Sequence, residues 1–75
     1  MENLLRMLNE IRPDLDFTIE ERLFDDGVID SFDIISIVTK IEEGFGVSID
    51  VIDIVPESFN SAAAIWDLIA RAKGA

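Results

Sequence analysis

From residue 31 to residue 45 the apolar side chains recur at helical spacing. Ile34, Ile37, Val38, Ile41 and Phe45 fall within one arc of about 100° on a helical wheel, the width of a core-facing stripe, while Asp33, Ser36, Lys40 and Glu43 lie opposite. The pattern predicts a helix over residues 31–44, with Gly44 and Gly46 bracketing its C-terminal end. A helix with one apolar stripe is stable in water only when other elements cover that stripe. The rest of the chain must supply the cover. Two apolar residues, Phe32 and Ile35, stay outside the stripe.

Two further segments have the same period. In residues 3–12, Leu4, Met7, Leu8 and Ile11 share a face, and Pro13 ends the segment because it disfavours a helical residue before it. In residues 61–73, Ala62, Ile65, Trp66, Ile69 and Ala72 share a face flanked by Leu68. Asn60 or Ser61 can cap that helix, and Arg71 and Lys73 suit its last turn. Residues 13–30 have no sustained period, yet Leu15, Phe17, Ile19, Leu23, Phe24, Val28 and Ile29 are spread among acids. That spacing predicts a long loop packed by its own side chains over the core, with Gly27 as a joint at positive φ. Residues 47–59, "VSIDVIDIVPESF", have strand-like composition. Nothing else in the chain offers a partner strand, so short helical turns are expected there, with Pro56 at a first helical position. The expectation is one all-α domain spanning residues 1–75.

Charge and missing residue types narrow the function. The 75 residues carry 16 acids against 6 bases, a net charge of −10. Such a chain repels nucleic acid and anionic membrane surfaces and suits proteins with basic patches. Self-repulsion favours a monomer. No Cys or His is present, which removes the thiolate nucleophile, the zinc-thiolate site and the commonest general base. "MENLLRMLNE" does not read as a signal peptide, and no apolar run is long enough to span a bilayer, so a cytoplasmic protein without membrane insertion is expected.

The chemistry then turns on "GVIDSFDI", residues 27–34, where Ser31 lies between two acids at the start of the central helix. As a catalytic nucleophile Ser31 has no base to activate it. "DDGVID" does not fit calcium-loop spacing, and no carboxylate pair stands out from the other acids. On local grounds Ser31 reads as the helix cap, with Asp33 favourable in the first turn. A second reading is also physical. A helix N-terminus suits a phosphate, and a serine there is within reach of another enzyme, for which Asp30 and Asp33 are handles.

"LFDDGVIDSFDIISIVTKIEEGFGVSI", residues 23–49, resembles the acyl and peptidyl carrier proteins, as does "IVPESFNSAAAIWDLI", residues 54–69. The resemblance covers nearly the whole chain. It implies a four-helix bundle of three main helices and a short third one, with a long first loop. It implies that Ser31, after the Asp30 of the Asp-Ser pair that a phosphopantetheinyl transferase recognises, bears 4′-phosphopantetheine taken from coenzyme A. The thiol of that arm would hold an acyl or aminoacyl group as a thioester, and the chain itself would catalyse nothing. Phe32, Ile35, Asp33, Glu42 and Glu43 are then the candidates for docking on basic surfaces of ligases and synthases. Ser36 stands where fatty-acid carriers commonly have an acid, which leans toward a specialised stand-alone carrier. Fatty acid, polyketide, D-alanyl and other aminoacyl cargoes all remain open. The competing reading from another class is an acidic helical adaptor that is never modified.

Overall fold

The computed structural model describes residues 1–74. Three helices, α1 (Glu2–Ile11), α2 (Ser31–Phe45) and α3 (Ala62–Gly74), are joined by the long loop of residues 12–30 and by a segment holding two 3-10 turns, Val51–Asp53 and Pro56–Phe59. The all-α class is as expected, and no strand occurs among the described residues. The short third helix takes the form of these two turns. Asp50 caps the first by accepting from the Ile52 amide at 3.2 Å, and Pro56 opens the second.

The core forms where the predicted stripes meet. Leu4 and Leu8 from α1, Ile34, Ile37 and Ile41 from α2, and Ala62, Ile65, Leu68 and Ile69 from α3 are buried around Phe59 of the second turn. Phe45 and Trp66 close one side edge-to-face, with ring centroids 6.1 Å apart. The long loop supplies Phe17, Leu23 and Ile29 to the same core. Within it Leu23 O accepts from the amides of Val28 and Ile29 at 2.9 and 3.0 Å, and Gly27 sits at φ 72° to allow that reversal. The radius of gyration, 11.1 Å, is what a folded chain of this length has, roughly 11 Å.

The caps settle two points that the sequence left open. At α3, Ser61 is the residue that caps: its Oγ accepts from the Ala64 amide at 3.1 Å. Asn60 instead turns to the long loop, where Oδ1 accepts from the amides of Phe24 and Asp25 and its own carbonyl accepts from the Leu23 amide at 3.0 Å. At the far end of α2, Gly46 takes the left-handed conformation (φ 65°) and its amide donates to Glu42 O. Gly44 lies inside the helix, where a Cβ would come 2.5 Å from Met7 Cε of α1.

Candidate functional site at the start of the central helix

The entry into α2 is built from both sides of Ser31. Asp30 has extended backbone (φ −121°, ψ −173°) and is the N-cap. Its Oδ1 accepts from the Asp33 amide at 3.0 Å, and Asp33 Oδ2 accepts from the Asp30 amide at 3.2 Å, closing a reciprocal capping box. The expectation that Ser31 caps the helix is therefore corrected. Ser31 is already the first helical residue, and the cap is the residue before it, Asp30, whose Oδ1 reaches the third amide of the helix. The acid at 33, three residues on, is the sequence signal for this arrangement. Ser31 itself is exposed, and among the described residues its hydroxyl makes no hydrogen bond.

Arg12, the residue that ends α1, completes the site. Its Nη1 donates to Val28 O at 3.1 Å and to Asp33 Oδ2 at 2.9 Å. Its Nε and Nη2 hold Asp14 in a fork at 3.1 and 2.9 Å. The Asp14 carboxylate, in turn, holds the guanidinium above its ordinary pKa, with a smaller contribution from Asp33. The same hydrogen bonding from Arg12 keeps Asp14 below the usual carboxylate range. The sequence reading takes Arg12 only as the last residue of the segment 3–12 and misses this role. Nothing in a single chain marks an arginine as the partner of an acid twenty-one positions away.

The residues expected to dock partners separate into two groups. Phe32 and Ile35 are 76% and 64% exposed, so both apolar side chains stand in solvent beside Ser31. Glu43 is exposed on the same outward side of α2 and lines a shallow groove against α1 with Arg6, Glu10 and Lys40. Asp33 and Glu42 are engaged within the molecule. The Asp33 side chain is only 16% exposed and belongs to Arg12 and the cap. Glu42 Oε2 accepts from the Ile49 amide at 3.0 Å and so ties the chain after α2 back onto the helix. Val51 and Ile52, 77% and 76% exposed on the first 3-10 turn, were not anticipated as surface residues.

An exposed serine whose hydroxyl makes no hydrogen bond among the described residues thus opens the capped helix α2. The chain matches the family model of the phosphopantetheine attachment site over residues 3–69 and belongs to that family of non-catalytic carriers, which bear a covalent 4′-phosphopantetheine group. Neither the curated proteins nor the solved structures compared with the chain gave a match. The residues present fit such a group. The capping box occupies the amides of Asp30 and Asp33, which leaves those of Ser31 and Phe32, the first two of the helix, without an acceptor inside it and facing the Ser31 end. Among the described residues no helix is long and apolar enough to cross a membrane, and no cluster of potential metal ligands occurs.

Proposed function

We propose that Ser31 is the attachment residue and that the chain carries an acyl or aminoacyl cargo between partner enzymes. The observation behind this reading is the exposed, unbonded Ser31 hydroxyl at the first position of α2 in a chain of this family. The Ser31 oxygen forms the new bond to phosphorus, a P–O bond of the coenzyme A diphosphate breaks, and adenosine 3′,5′-bisphosphate leaves. The hydroxyl proton passes to a general base in the transferase complex. When bound, the arm supplies a thiol that holds cargo as a thioester. The protein's own contribution is tethering, which raises the concentration of cargo at a partner's active site.

Phe32 and Ile35, with Asp30 beside them and Glu43 two to three turns further along α2, form the proposed docking surface for transferase and ligase or synthase enzymes with basic faces. Exposed apolar groups surrounded by acids recognise such partners through contact and steering together. Asp33 and Glu42 contribute to this surface through the shape they hold. The cargo proposed is an acyl group of fatty acid, polyketide or related synthesis. Ser36, in place of an acid, supports the second reading, a D-alanyl or other aminoacyl carrier. A cytoplasmic location accompanies either reading.

Intact-mass measurement after incubation with coenzyme A and a broad-specificity phosphopantetheinyl transferase tests the assignment. A single phosphopantetheinyl mass gain in wild type, absent in Ser31→Ala, is expected. No gain in wild type, the behaviour of an unmodified adaptor, or a gain that survives Ser31→Ala, rejects it. Loading of the modified protein by acyl and by aminoacyl ligases then separates the two cargo classes.

A further inference from the structure

We propose that Arg12 is a positioning residue for the modification of Ser31, acting through Asp33 from a different helix. The inference rests on Ser31 being the attachment residue. Arg12 Nη1 grips the chain at two points that straddle the serine: the Val28 carbonyl, three residues before it, and the Asp33 carboxylate, two residues after it. The backbone carrying Ser31 is thereby held from both sides to the end of α1. The pair is partly shielded, with the side chains of Arg12 and Asp33 27% and 16% exposed, so water competes less for it than for an ordinary surface ion pair. Asp14 holds the other edge of the guanidinium, which leaves Nη1 aimed at Val28 and Asp33.

The arrangement also decides where the Asp33 charge sits. Asp33 Oδ2 has two donors, the Asp30 amide at 3.2 Å and Arg12 at 2.9 Å, and the shorter bond is to Arg12. Without Arg12 the carboxylate keeps only the longer bond and is free to turn toward the open amides of Ser31 and Phe32. Those amides are the part of the helix end that favours a phosphate oxygen, and a carboxylate turned there competes with it. Arginine suits the task and lysine does not, because four acceptor atoms on three residues are held at once by one planar, forked group, one more than an ammonium has N–H bonds.

The test uses the full chain in its unmodified form, coenzyme A and a broad-specificity transferase, with initial rates read by intact mass. Arg12→Gln, Arg12→Lys, Asp33→Asn and the double variant Arg12→Gln/Asp33→Asn are compared with wild type well below every variant's melting point. Ile65→Val, a core change in α3, controls for lost stability. Arg12→Gln is expected to lower kcat by about ten- to a hundredfold, the upper figure being the loss that a 1 Å misplacement of a reacting group produces, with KM for coenzyme A unchanged. Arg12→Lys falls between the two, Ile65→Val reacts like wild type, and the double variant is slower than Asp33→Asn by less than the loss Arg12→Gln shows alone, because only the Val28 contact remains to be lost. Hydrogen exchange at the Asp30 and Asp33 amides, the two bonded in the capping box, is expected to speed up in Arg12→Gln as an independent readout. A wild-type rate in both Arg12 variants, an equal loss in Ile65→Val, or losses that multiply in the double variant overturns the inference while leaving Ser31 as the attachment residue. A wild-type chain that gains no mass overturns both.

Discussion

The side chain of Asn60 meets Asp25 twice, across thirty-five positions of sequence: Oδ1 accepts from the Asp25 amide at 3.1 Å, and Nδ2 donates to Asp25 Oδ2 at 3.2 Å. The same Oδ1 accepts from the Phe24 amide at 3.0 Å. One carboxamide between the second 3-10 turn and α3 thus anchors the middle of the long loop, just ahead of the residues that lead into Ser31.

Removing that carboxamide is expected to destabilise the fold without touching an apolar residue. Asn60→Ala leaves two loop amides without their acceptor, one of them part-buried, and the cost is about 1–3 kcal/mol. Asn60→Asp keeps the acceptor but loses the donor and sets two carboxylates face to face, so it also destabilises. Chemical denaturation of the three proteins checks both outcomes, and an Asn60→Asp midpoint at or above wild type is the result that contradicts this account.

The long loop is core in energetic terms. Leu23 is 0% exposed, as is Ile37 of α2. Leu23→Ala is therefore expected to cost as much as a large-to-small change in a helix, about 2–5 kcal/mol. In a domain this small that is a large part of the total stability. Denaturation midpoints of Leu23→Ala and Ile37→Ala should fall together. A loop variant with nearly wild-type stability would show that the loop only drapes over the core.

Two glycines near the end of α2 are expected to respond in opposite directions to alanine. Gly46 needs φ 65°, with no neighbour within 4 Å, so Gly46→Ala costs about 1 kcal/mol from backbone strain alone. Gly44 has helical backbone, and the atom its Cβ would meet is the terminal methyl of Met7, a flexible side chain beside an open groove. Gly44→Ala therefore gains helix propensity of up to about 1 kcal/mol, less the small cost of moving that methyl. Thermal melts of the two variants on opposite sides of wild type are the expected result.

Acid should weaken the fold at the start of the long loop. Asp14 is held below the ordinary carboxylate range first by its hydrogen bond from Arg12, and Asp16 by those from the Thr18 side chain and amide. A carboxyl whose folded pKa is depressed contributes stability above its unfolded pKa and loses it as the pH falls through the folded one. Melting temperature is expected to decline below the ordinary aspartate pKa of about 4. In Asp14→Asn that decline should be shallower. An identical acid profile in the variant would remove Asp14 from the explanation.

The sequence alone determined the helices and the faces they bury. A period of three to four residues records on which side of a helix the solvent lies, so Leu4, Leu8, Ile34, Ile37, Ile41, Ile65 and Ile69 could be assigned to the core from spacing. It also determined that Ser31 begins the central helix, because the resemblance runs through the residues around it, and that Phe32 and Ile35 stand off the core stripe. Polar assignments were decided only by the tertiary structure. That Asp33 and Glu42 turn inward to Arg12 and the Ile49 amide, and that Asn60 serves the loop while Ser61 caps α3, depend on which donor lies within about 3 Å of which acceptor. Hydrophobic burial is non-directional and leaves a repeating trace along the chain. A hydrogen bond between distant segments is directional and leaves none, so Arg12 becomes part of the Ser31 site only when α1 is laid beside α2.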